Sequence, residues 1–188
     1  MDNKIRGTKM ERKFLPISIA LLTVSDTRTI ENDKSGNLLV SKIKNSGHSL
    51  FDRKIVKDEI SDIEKISKKW IKDSDVEVII STGGTGLTGR DVSPEAFRLM
   101  FDKEVEGFGE LFRFLSFKKI GTSTIQSRAL AGVANGTYIF VLPGSPSACK
   151  DAWDEILAHQ LDYRHKPCNF VEIMPRLLEK GAGRTGKS

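Results

Sequence analysis

Apolar and polar positions change period repeatedly along this chain, and each change marks a new element. Residues 18–25 form an apolar run that predicts a strand, 35–46 predict a helix closed by Gly47, and 49–56 predict a second strand of mixed pattern. The spacing Ser61-x-x-Glu64 predicts a capping box opening a helix to about residue 72, with Ile63, Ile66, Trp70 and Ile71 on one stripe. A third strand is expected over 76–82, then a glycine-rich loop and a short helix over 94–101. Residues 108–117 predict another helix, with Phe108, Leu111, Phe112 and Leu115 on one face and Phe114 and Phe117 off it. That second apolar face fits either a helix sandwiched within one core or a contact between subunits, and an oligomer is the expectation. Runs at 128–133 and 137–142 flank Asn135-Gly136, a strong hairpin signal, and a last helix is predicted over 148–161. This alternation predicts an α/β fold, a mostly parallel sheet with an antiparallel hairpin element and helices on both faces. Its ligand loops would lie at the carboxyl ends of the strands.

The third strand and the loop after it carry the chemistry. Gly83, Gly84, Gly86 and Gly89 lead to Arg90-Asp91 and then to Ser93-Pro94-Glu95, which reads as N-cap, first helical position and acidic first turn. Glycines let backbone amides approach a ligand without Cβ obstruction, and a helix start adds a positive dipole end, so the segment predicts a polyanion site. The bland alternative is a glycine turn without ligand. Gly84-x-Gly86-x-x-Gly89 also satisfies a dinucleotide fingerprint, but a full strand–helix–strand–helix stretch precedes it, which leaves a nicotinamide-dependent oxidoreductase as a remote reading. A second strand end, Leu142-Pro143-Gly144-Ser145-Pro146, repeats the design, with Ser145 and Ser147 fitting either helix capping or ligand contact. Asp26 follows the first strand and Asp58-Glu59 the second. Asp58 and Asp91 can converge on one Mg²⁺ completed by phosphate oxygens, unless Asp58 only precedes its helix as a dipole-friendly acid.

Composition narrows the class. The chain has 188 residues, 38% of them hydrophobic, enough for one well-buried domain. Net charge is +5, yet the basic residues gather at the ends: Lys4, Arg6, Lys9, Arg12 and Lys13 against two acids in 1–13, and Arg176, Lys180, Arg184 and Lys187 against Glu179 near the other end. The domain is therefore placed at 14–172, between a basic tail at 1–13 and a basic Gly-rich tail at 173–188, and no specific nucleic-acid groove is expected. Residues 181–188 fit a P-loop letter for letter, but no helix follows to hold phosphates, so the match is assigned to chance. Cys149 and Cys168 lack any zinc or disulfide spacing, and His48, His159 and His165 are read as packing or surface residues. No membrane-length apolar run and no signal-like start appear, which predicts a cytoplasmic protein.

Taken in order, residues 19–25, Ser81-Thr-Gly-Gly-Thr-Gly86 with Arg90-Asp91, the 107–113 and 121–128 segments and Pro143-Gly-Ser-Pro146 resemble the MoaB/MogA family over roughly residues 14–172. The resemblance implies a three-layer α/β/α sandwich assembled as a homotrimer, or as a homohexamer built from trimers. It further implies molybdopterin binding and, in active members, adenylylation of molybdopterin with ATP and Mg²⁺, for hand-over to a downstream metal-insertion protein. Carried onto this sequence, Asp58 and Asp91 become the metal and adenylylation carboxylates. The pterin site takes Ser25, Asp26, Thr82, Gly83, Gly84, Thr85, Gly86, Arg90, Ser127, Arg128, Pro143, Gly144 and Ser145. Retention of Asp58-Glu59 favours activity, whereas Lys57 stands where dedicated adenylyltransferases tend to have proline. A noncatalytic molybdopterin-binding or scaffold oligomer in the same pathway is the alternative reading.

Overall fold

The computed structural model describes residues 12–179; the expectations for residues 1–11 and 180–188, including the P-loop match, lie outside them. Three strands run buried through the centre: β1 (Ser18–Val24), β3 (Val78–Thr82) and β6 (Thr137–Leu142), with only Ser18 escaping full burial. Continuous apolar runs of this kind are what a strand covered on both faces requires. β2 (Ser49–Val56) has the mixed pattern of an edge and is half-buried or exposed throughout. With β4 (Lys103–Glu104) and β5 (Leu130–Ala134), the six strands are ordered β2-β1-β3-β6-β5-β4. Only β5 runs against its neighbours, pairing antiparallel with both β6 and β4. Asn135 and Gly136 make the β5–β6 turn with positive φ of 46° and 83°, as the hairpin signal requires.

Helices cover both faces, which gives the expected three layers. α1 (Lys34–Asn45), α4 (Glu106–Ile120), α5 (Pro146–Ala152) and α7 (Phe170–Ile173) share one side; α5 continues through a π turn at Trp153–Leu157 into α6 (Ala158–Gln160). On that side Leu39, Ile43, Phe112 and Trp153 pack on Ile19, Leu21, Ile80 and Phe140. α2 (Ile60–Ile71) and α3 (Ser93–Arg98) cover the other, where Ile63, Trp70 and Phe97 meet Ala20, Leu22, Ile79 and Ile139. Successive residues of one strand thus feed opposite cores, which fixes its register. Because β2 and β3 lie on opposite sides of β1, chain direction splits there and opens a crevice at the carboxyl ends.

Several local expectations change. No capping box forms at α2: the N-cap is Glu59, without a side-chain cap, and Ser61 already lies inside the helix. In α4, Leu111 is exposed with Phe114, Phe117 and Ile120, while the sheet-facing stripe is Phe108, Gly109, Phe112 and Ser116. The short β4, the 3₁₀ segment Gly121–Gln126 and α7 have no periodic signal, being too short to show one. Arg12, assigned to the tail, pairs with Glu172 at 2.8 Å and lies 5.0 Å over the Tyr163 ring. Among the described residues, no helix is long and apolar enough to cross a membrane.

One buried charge ties β1 to α1 and β2. Asp33, 2% exposed, caps α1 by accepting from the Gly36 amide at 2.8 Å, and it accepts from Thr23 Oγ1 at 2.7 Å and from Arg53 at 2.9 Å. Burial pushes this carboxyl up, but the donors from Thr23, Gly36 and Arg53 together outweigh it and hold the group below its ordinary 3.8. Replacing Asp33 with Asn should cost about 3 kcal/mol of unfolding free energy at pH 7, because Arg53 loses its buried counter-charge. A carboxyl depressed in the fold stabilises fully above its unfolded value and loses that contribution as pH falls through the folded one. Urea unfolding of Asp33→Asn and the parent should therefore show a gap that is constant at neutral pH and closes below about pH 4; a pH-independent gap would contradict the charge assignment.

Candidate functional site at the carboxyl ends of the sheet

Three strand ends meet closely at Gly83. Its φ of 100° suits glycine alone, and a Cβ there would collide with the Val24 carbonyl at the end of β1. A Cβ on Gly144, beyond β6, would lie 3.2 Å from the Gly83 α-carbon. Hydrogen bonds lock this packing. The Gly83 amide donates to Leu142 O at 3.1 Å, Thr82 Oγ1 donates to Pro143 O at 2.9 Å, and Ser35 Oγ of α1 donates to Gly144 O at 2.7 Å. Ser145 caps α5 by accepting from the Ala148 amide at 3.2 Å, so its capping role is real.

The glycine loop then crosses to the α3 side. Ser93 does not cap α3, whose N-cap is Val92; instead its Oγ donates to Gly83 O at 2.8 Å and its amide to Gly84 O at 2.9 Å. The serine predicted from capping rules is spent on shaping the loop. α3 has only six residues, so little macrodipole supports the loop, and the Gly83 amide is already used. Among the described residues, the amides of Gly84 and Thr85 donate to no protein acceptor, nor do those of Leu87, Gly89 and Arg90 further along the loop, which leaves several donors for an anion.

Asp58 and Asp91 come together over this loop. A Cβ on Gly84 would lie 2.7 Å from Asp58 Oδ1, and one on Gly86 2.7 Å from Asp91 Oδ2. Asp58 does not cap α2; that position belongs to Glu59. The Asp58 carboxyl is pushed above its ordinary value, first by burial, then by the like charges of Asp26 and Asp91. Asp91 is held below its ordinary value by Thr88, whose hydroxyl and amide donate to Oδ2 at 2.6 Å and 2.9 Å. Asp58 is thus held beside like charges that a cation between the two carboxylates would offset. Among the described residues no three His, Cys, Asp or Glu groups converge as a self-sufficient metal cage. Two carboxylates with the remaining positions left to phosphate oxygens suit Mg²⁺, so the donor set fits that ion.

The two arginines serve differently from the simple expectation of facing phosphate. Arg128 reaches from the start of β5 to donate to Thr85 O at 3.3 Å and Asp91 O at 2.8 Å, and it pairs with Glu95. It therefore clamps the glycine loop from outside. Arg90 grips Asp26 at 3.0 Å and Glu59 at 2.8 Å. Ser127 is beside Arg128, its buried Oγ without a partner, and Ser25 Oγ accepts from the Thr27 amide at 3.2 Å in the β1 loop.

A polar hollow of ≈ 290 Å³ opens on the α1 side, lined by Thr23, Ser25, Asp33, Ser35, Thr82 and Gly144 among others. Thr23, Asp33, Ser35, Thr88 and Arg53 are absent from the site that the sequence predicts. Asp33 has a usable signal, since Asp-Lys-Ser-Gly at a helix start reads as an N-cap. Ser35 and Thr88 have none, because their partners are carbonyl and carboxylate groups brought near only by folding. A more open hollow of ≈ 500 Å³ adjoins it along β2, sharing Ser25 and reaching Asp26 and Lys57. Another, of ≈ 450 Å³, lies at the amino end around Lys72, Glu77 and Gly136, with no glycine loop and no converging acids.

Comparison with known proteins places the chain in a family. Residues 20–163 match a family model described as "Probable molybdopterin binding domain". The chain is 52% identical over 163 residues to molybdenum cofactor biosynthesis protein B of Escherichia coli K12, covering 87% of this chain and 96% of that one. A crystal structure of a molybdenum cofactor biosynthesis protein B superposes with TM-score 0.77 at 39% identity, over 80% of this chain and 94% of the other. The tungsten cofactor synthesizing protein MoaB from Pyrococcus furiosus gives TM-score 0.69 at 34% identity, over 77% and 92%. The chain belongs to the MoaB/MogA family of molybdenum cofactor biosynthesis proteins.

Proposed function

We infer that the protein binds molybdopterin and adenylylates it with Mg-ATP, giving adenylyl-molybdopterin and pyrophosphate. The observation that carries this reading is the convergence of Asp58 and Asp91 over a glycine loop whose Gly84 and Thr85 amides have no protein acceptor. In the step, an oxygen of the pterin's terminal phosphate bonds to the α-phosphorus of ATP, and the bond from that phosphorus to the bridging oxygen breaks. Pyrophosphate leaves with the electron pair. Such transfer needs positioning and charge neutralisation more than a protein nucleophile. Asp58 and Asp91 would hold Mg²⁺, which supplies charge neutralisation to the phosphates.

The chain's own residues do the rest. Gly84 and Thr85 donate their amides to phosphate oxygens, and Arg128 keeps that loop in place through its backbone carbonyls. The hollow lined by Thr23, Ser35, Thr82 and Gly144, with Pro143 and Ser145 beside it, takes the pterin. The noncatalytic reading has one observation in its favour: Arg90 is already paired with Asp26 and Glu59. A cytoplasmic setting and hand-over of the activated pterin to a metal-insertion protein complete the proposal.

A homo-oligomer belongs to it as well. Leu111, Phe114, Phe117, Ile120 and Ile125 are exposed apolar side chains on α4 and the following turn, and a second copy of the chain would cover Phe114 and Phe117.

Two measurements test these readings. Asp91→Asn should fold and bind molybdopterin, yet slow pyrophosphate release from Mg-ATP by two or more orders of magnitude, about 3 kcal/mol in barrier. Asp58→Asn should do the same, and the double variant should be little worse than either, because one loss already disables the ion site. Near-parental turnover in Asp91→Asn, with folding verified by circular dichroism, would favour the scaffold reading. Phe114→Glu or Phe117→Glu should lower the mass seen by light scattering, since a buried carboxylate opposes association; an unchanged mass at low concentration would remove that face from the interface.

A further inference from the structure

Arg90 is paired with two carboxylates beside Asp58, at the edge of the glycine-loop site. Its Nε and one terminal nitrogen hold both Asp26 oxygens at 3.0–3.1 Å, and the other terminal nitrogen holds Glu59 at 2.8 Å. Asp26 Oδ1 also accepts the Asp58 amide at 3.2 Å, so the arginine's carboxylate partner sits against the residue proposed to bind metal. All three side chains of the cluster remain open to water, Arg90 at 55%, Asp26 at 39% and Glu59 at 52%. Exposed pairs of this kind are weakly held and exchange readily, whereas a guanidinium fork on a phosphate makes two charge-assisted bonds.

Resting on the adenylyl-transfer reading, we propose that Arg90 is a partner-switching residue: it neutralises Asp26 and Glu59 in the free protein and transfers to the nucleotide triphosphate. The exchange has a definite electrostatic consequence. While Arg90 lies on Asp26, its positive charge repels a divalent cation from the adjoining carboxylates. When a triphosphate takes Arg90, Asp26 and Glu59 are left without their counter-charge beside Asp58 and Asp91, and the local field then draws the cation in. By linkage the cation must favour the nucleotide to the same degree. Metal and nucleotide are thereby gated as one unit, and neither ligand alone satisfies the site. Glu59 is the specificity control of the switch, since it competes with phosphate for one terminal nitrogen of Arg90.

Binding of each ligand alone separates this role from simple support of the loop. Mn²⁺, followed by electron paramagnetic resonance, stands in for Mg²⁺, and α,β-methylene-ATP in chelator stands in for the nucleotide. Arg90→Ala should bind Mn²⁺ alone at least fivefold more tightly than the parent and the analogue at least fivefold more weakly. Glu59→Gln should bind the analogue several-fold more tightly. A structural role would weaken both ligands together in Arg90→Ala, so a parallel loss, or no change in either, overturns the switch and leaves adenylyl transfer standing. Absence of analogue binding by the parent, even with Mn²⁺, overturns the switch and the adenylyl-transfer reading together.

Discussion

The structure depends on a close approach of backbone to backbone where β1, β3 and β6 end. Gly83 at positive φ lies against the Val24 carbonyl and beneath Gly144, in space that a single methyl group would close. Every part of the candidate site refers to that contact. Ser93 holds Gly83 from the α3 side, while Ser35 and Thr82 hold the Gly144 loop from the α1 side. Because the strands feeding this point are buried on both faces, the two cores fix their register and thus the position of each loop. A βα loop placed by such a scaffold can present unused amides without collapsing onto them.

Electrostatic tension is concentrated in the same place. Asp33, in the wall of the hollow, is satisfied on both oxygens and anchors the fold. Asp58 has the opposite condition: partly buried, near two other acids, and raised in pKa. Charged groups that the fold satisfies serve stability, whereas a carboxyl kept beside like charges marks a position where a ligand is expected to contribute the missing charge. The arginines divide similarly, Arg128 being tied to backbone carbonyls and Arg90 to exposed acids.

Much of the fold is legible in the sequence, for identifiable reasons. Long elements announce themselves: β1, β3 and β6 by continuous apolar runs, α1 by the closing Gly47, α2 by its stripe, and the β5–β6 turn by Asn135-Gly136. The loop glycines and the two acids after strands are visible as residues, but the sequence leaves a plain glycine turn and a dipole-friendly Asp58 open beside the ligand reading. Partner choice is what local sequence cannot supply. Ser61 and Ser93 both look like caps, yet one lies inside its helix and the other bonds a carbonyl ten residues back, because tertiary contacts outweigh local capping. Periodicity puts Leu111 on the core stripe of α4, but it faces outward, the helix having two apolar faces between which periodicity cannot choose. Arg90 illustrates the same limit for charges: its sign is evident in the sequence, its carboxylate partners from two distant loops are not.

The product formed at the site distinguishes catalysis from binding. Incubating the protein with molybdopterin and Mg-ATP, then resolving the small molecules by mass spectrometry, reads this directly. Adenylyl-molybdopterin appearing in step with pyrophosphate is the predicted result. Molybdopterin recovered unmodified from a complex that binds it, with ATP intact, would contradict catalysis and leave a pterin-binding scaffold.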